Sequence, residues 1–194
     1  MNTKRLTLII VFIALTTALS IGGPKIPAPY APFLYYQLWE IPIVVAFLAM
    51  GPKAGVTITV INTLILLAVF PGSLPVGPIY NFDAVLAMLL GIYIPYKVAT
   101  RKCPTEKLSS FLQQHFKIIS VSATTLGLVL RVVITTPINY LALQLSYPFG
   151  FGLNSAGALA LLPLIAFFNA TVALYTIPLA LAVAVAIVSR FKLQ

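Results

Sequence analysis

Long apolar runs, separated by clusters of glycine and proline, set the pattern of this chain. The runs are continuous rather than alternating with period two, so they read as helices and not as strands of a membrane barrel. About six helices follow from the breakers. The first runs from about Leu6 to Gly22 and stops at Gly-Gly-Pro, before a proline-rich stretch from Pro24 to Pro32. The second, about Leu38 to Met50, is short for a span of ~20 residues and is expected to be tilted or shielded by its neighbours. Gly51-Pro52-Lys53 turns tightly into the third, about Ala54 to Phe70. Pro71, Gly72, Pro75, Gly77 and Pro78 precede the fourth, about Ile79 to Val98. A polar segment, Ala99 to His115, leads to the fifth, about Phe116 to Leu145; a glycine-rich loop leads to the sixth, about Ala156 to Val188. Pro137, Pro163 and Pro178 are expected to break or kink these last two.

Composition turns that pattern into a membrane assignment. Of the 194 residues, 60% are hydrophobic and 8% charged, against roughly 25% charged in a soluble domain. Such a chain cannot clothe its surface with polar groups. In hydrocarbon, its backbone must bond internally, as helices do. The predicted fold is an all-α integral membrane protein, a single domain over residues 1–194 that spans the lipid bilayer about six times. The formal charge of +9 is explained by topology. Lys4, Arg5, Lys53, Lys97, Arg101, Lys102, Lys107, Lys117, Arg190 and Lys192 fall on one face of the six-span arrangement, with Lys25 opposite and Arg131 inside a helix. The positive-inside rule makes that face, and both termini, cytoplasmic. A nucleic-acid partner is therefore not expected. The N-terminus mimics a secretory signal, but the spans that follow favour an uncleaved first helix.

The supply of chemistry is thin. Cys103 is the only cysteine, His115 the only histidine, and the acids are Glu40, Asp83 and Glu106. No metal-ligand spacing and no catalytic cluster follows, so neither a metal, a cofactor nor an enzymatic activity is expected. What stands out is polarity at membrane depth: Glu40, Asn81, Asp83, Arg131, Asn139 and Asn169. Such groups are costly in lipid and should face the interior. Arg131 lies roughly 21 Å along the fifth helix from Lys117, a depth that fits an ion pair with Asp83 bracing two helices. Asn139 and Asn169 can either glue helices together or pair with a neutral heterocycle or sugar hydroxyls, since an amide both donates and accepts. Tyr36, Trp39 and Tyr140 belong to an aromatic-rich outer face that forms an interfacial belt or a pocket for a flat ligand. Ala14, Ala18 and Gly22 repeat every four residues on the first helix, so either internal packing or a partner helix could use that stripe.

These residues resemble the substrate-binding S components of energy-coupling factor (ECF) vitamin transporters, the riboflavin-type members in particular. The likeness rests on Gly51-Pro52-Lys53-Ala54-Gly55-Val56 and, after a helix, Pro75-Val76-Gly77-Pro78-Ile79-Tyr80-Asn81-Phe82. Glu40-Ile41-Pro42 looks like the family's Asp-Ile-Pro start to the second helix, Ile138-Asn139-Tyr140 like its Leu-Asn-Tyr element, and Phe168-Asn169 like its Phe-Asn element. Ala14 and Ala18 match its Ala-x-x-x-Ala docking pair. Where riboflavin-type members often have a lysine three residues after the last asparagine, this chain has Val172.

The resemblance implies a subunit that captures riboflavin from outside, with Asn139, Asn169, Tyr140, Glu40, Tyr36, Trp39 and Asn81 as site residues. Ala14, Ala18 and Gly22 would dock on the ECF transmembrane coupling subunit, and two ATP-binding subunits would supply the energy. In keeping with that division, the chain has no Gly-x-x-x-x-Gly-Lys-Ser/Thr loop. An S component for another small vitamin and a non-transporting structural subunit remain as alternatives.

Overall fold

A computed structural model describes residues 3–69, 74–102 and 115–190. Lys107, Lys192, Cys103 and Glu106 lie outside the described residues, as does the end expected at Phe70 for the third helix. Six helices are present among the described residues: α1 Thr3–Gly22, α2 Glu40–Met50, α3 Pro52–Val69, α4 Gly77–Lys102, α5 Phe116–Gln144 and α6 Ser155–Arg190. Five of them are long and apolar enough to cross a bilayer. Pro95, Pro137, Pro163 and Pro178 sit inside their helices, which run on through them; the expected breaks do not occur. Neighbouring helices in a bundle make such prolines tolerable.

The exception is α2. Its 11 residues rise about 16 Å, half of a hydrocarbon core about 30 Å thick. Gly51 ends it at φ 95, a left-handed conformation open to glycine, and Pro52 starts α3 immediately. α2 is therefore a half-span whose first residue, Glu40, lies near the middle of the bundle. Its side chains from Pro42 to Ala49 are buried, packed against α1, α3, α4 and α6. Irregular backbone at membrane depth survives only when protein encloses it, and this enclosure provides that.

The half left vacant above α2 is filled by the proline-rich stretch, which folds into a hairpin the sequence did not suggest. β1 (Ile26–Ala28) pairs antiparallel with β2 (Ala31–Tyr36); Ile26 faces Tyr36, Pro27 faces Tyr35 and Ala28 faces Ala31. A two-stranded ribbon leaves one side of each strand unpaired, so the prolines cost few ladder bonds.

α4 and α5 cross in direct backbone contact. A Cβ on Gly91 would stand 2.4 Å from the Leu126 carbonyl oxygen and 2.5 Å from Gly127 Cα. Small residues at such crossings let membrane helices pack by close van der Waals contact. The crossing fixes α5 against α4 one turn below Arg131.

Candidate functional site

Arg131, 16th of the 29 residues of α5, points into the bundle at the level where α2 begins. Its Nη1 and Nη2 donate to Glu40 Oε2 and Oε1 at 2.5 and 2.9 Å, a fork-on-fork pair. Nε donates to Asn169 Oδ1 at 2.9 Å, and Nη1 also approaches Met88 Sδ at 3.6 Å. The Asn169 amide nitrogen donates to the Ile165 carbonyl at 3.1 Å. One network thus ties α2, α4, α5 and α6 together at mid-depth. Arg131, Glu40 and Asn169 are only 3%, 5% and 6% exposed. Buried charges persist when paired and hydrogen-bonded, and Arg131 is paired with Glu40 and donates through Nε, Nη1 and Nη2.

The expected Arg131–Asp83 pair is overturned. Asp83 lies six residues into α4, about 9 Å from its start, and is half-buried. The α4 residue at the guanidinium is Met88, more than a turn deeper. Glu40 takes the partnership because α2 starts at mid-depth rather than at a membrane surface.

Above this network lies a deep chamber of about 130 Å³ whose wall includes Glu40, Arg131, Asn139, Asn169, Phe168 and Tyr175. A wider chamber of about 570 Å³ lies beside it, walled by Ser20, Lys25, Leu66, Leu74, Gly77 and Pro78. Tyr35, Gln37, Trp39 and Asn81 line both. The deep chamber accommodates one small polar group, whereas the wider one is in the range of ligand pockets, roughly 300–1,000 Å³.

Five of the seven residues expected at a binding site therefore meet here: Glu40, Trp39, Asn81, Asn139 and Asn169. Asn139 donates to the Thr135 carbonyl at 2.9 Å through its amide nitrogen, and among the described residues no donor meets its Oδ1. Asn169 is more fully engaged, so it helps hold helices as well as line the chamber.

Tyr36 and Tyr140 are placed elsewhere. Tyr140 packs with Leu143, Ala158 and Ile165. Tyr36 points to the far side of its strand, where its hydroxyl meets Tyr30 at 2.5 Å and Thr171 at 2.8 Å, and its ring lies 4.9 Å from Phe168. With Tyr175 donating to the Gln37 carbonyl at 2.5 Å, these bonds latch the hairpin to α6. Burial, and then the bond to Tyr36, push the Tyr30 hydroxyl up from its ordinary value.

Gln37 and Tyr175 are wall residues that sequence reasoning missed, and Tyr35 and Tyr80, outer-face aromatics left out of the expected site, line it as well. Within β2 the period of two separates Tyr35, on the chamber side, from Tyr36, on the groove side, while Gln37 beyond the strand borders both. On the opposite rim, the Tyr80 hydroxyl donates to the Phe149 carbonyl at 2.6 Å and joins the start of α4 to the α5–α6 loop.

A half-span under a hairpin, with a polar cavity between them, defines a multi-pass membrane protein built around an interior chamber. No protein-family model and no curated protein matches the chain. Among solved structures it is similar to the S component of a bacterial ECF transporter, at TM-score 0.70 and 22% identity over 98% of this chain and 96% of that one. The chain has the S-component fold.

Proposed function

We propose that the chain is the substrate-binding S component of an ECF-type transporter, and that its substrate is a vitamin, riboflavin first among the candidates. The observation that carries this reading is the adjacent pair of chambers, which share Tyr35, Gln37, Trp39 and Asn81 in their walls. The deep one presents Asn139 Oδ1 and the Arg131–Glu40 pair to a small polar edge, and the wider one has room and aromatic walls for a ring system. The charged residues of the deep wall cancel, so it suits a neutral edge of a heterocycle. Stacking on Trp39 or Tyr35 contributes roughly 0.5–1.5 kcal/mol beyond area burial.

In this reading the hairpin end faces outward, and the end carrying Arg5, Lys53, Lys97 and Lys117 faces the cytoplasm with both termini. α1 is the surface for the transmembrane coupling subunit, and two ATP-binding subunits complete the complex. Ala14, Ala18 and Gly22 are exposed along α1, and only 17% of that span is buried. A flat small-residue stripe lets a partner helix approach closely. The protein purified from cells grown with riboflavin should be yellow and carry a stoichiometric flavin. A colourless protein that carries another vitamin by mass spectrometry would retain the transporter reading and replace the substrate.

A further inference from the structure

The wider chamber carries a charge that the deep one lacks. Among the described residues, Lys25 is the one ionisable side chain on its wall besides Tyr35, and no carboxylate lines it. Lys25 is exposed and makes no ion pair among the described residues. Lys25, just before β1, joins Tyr35, Gln37 and Trp39 on the chamber wall, while its neighbours Pro24 and Ile26 line an apolar groove beside it. The deep end is balanced by its Arg131–Glu40 pair, so the site as a whole has one uncompensated positive charge at its outer end.

We infer that Lys25 is a specificity-determining residue, and that the site favours ligands with a neutral polar group at the deep end and an anionic group, such as a phosphate ester, at the outer end. The inference rests on the binding reading above. Because Lys25 is solvated, the gain is that of an exposed ion pair, roughly two- to fivefold in affinity. It also disappears as salt shortens the screening length to about 3 Å near 1 M. Gln37, on the same wall, offers an uncharged amide donor to the same group.

The test uses the full chain in phosphatidylcholine nanodiscs, with riboflavin and riboflavin 5′-phosphate as a matched pair. Quenching of Trp39, the only tryptophan, reports binding. The expected result is roughly two- to fivefold tighter binding of the phosphate ester at low salt, parity at high salt, and reversal of the preference in Lys25→Glu. Phosphatidylglycerol added to the discs separates the two sources of phosphate. A preference that persists assigns Lys25 to the ligand, whereas one that vanishes hands it to a lipid headgroup and overturns the inference. Riboflavin bound with the same discrimination by wild type and Lys25→Glu overturns it too, while leaving the binding reading standing. Retention of neither flavin overturns both.

Discussion

Asn139 and Asn169 share a side chain and a cavity, yet they should respond differently to truncation. Asn139 makes one bond to its own helix and keeps an acceptor for the ligand, so Asn139→Ala should leave folding intact. Loss of about 1 kcal/mol or more per hydrogen bond predicts roughly tenfold weaker binding, measured by titration calorimetry. Asn169 also accepts from Arg131 Nε, so its truncation mixes binding with structure. The ion pair makes a sharper prediction. Removing one partner leaves a buried charge and costs roughly 3–5 kcal/mol. Glu40→Met and Arg131→Met should each lower the thermal midpoint in detergent markedly, and the double variant should lower it less than either. Additive losses in the double variant would show that the two side chains do not act as a pair.

Helix ends were legible because glycine and proline stop helices by local chemistry. α3 was expected from Ala54 and starts at Pro52; α6 was expected from Ala156 and starts at Ser155. The hairpin was not legible: prolines that suggest stiff coil also tolerate a two-stranded ribbon, and register with α6 is decided by Tyr30, Tyr36 and Thr171, far apart in sequence. α2 was legible as short, but its consequence was not. Only the packing of α5 and α6 reveals that its first residue sits at mid-depth, where Glu40 meets Arg131 across 91 positions. The α4–α5 crossing that sets this geometry has its own test. Gly91→Ala drives a methyl into the Leu126 carbonyl, and separating the helices should cost roughly 1–3 kcal/mol. An unchanged melting midpoint would contradict the close crossing.

For the whole molecule, two surfaces should be separable. The chamber lies under the hairpin, whereas the stripe on α1 faces outward. Ala14→Trp and Ala18→Trp should therefore abolish uptake in cells that supply the coupling and ATP-binding subunits, while ligand affinity of the isolated chain stays unchanged. Loss of affinity along with uptake would mean that the stripe packs within the bundle instead. The fold as a membrane bundle followed from hydropathy alone. The chamber did not, because it is built by α2, the hairpin, α4, α5 and α6 together, and no single segment carries its outline.

The most direct test of a solute-binding chamber is native mass spectrometry of the full chain in nanodiscs, equilibrated with a panel of vitamins that includes riboflavin. The account predicts that one vitamin is retained at a ratio of one per chain and that Asn139→Ala weakens its retention roughly tenfold. A wild-type chain that retains none, or an Asn139→Ala chain that retains the same compound equally well, would contradict it.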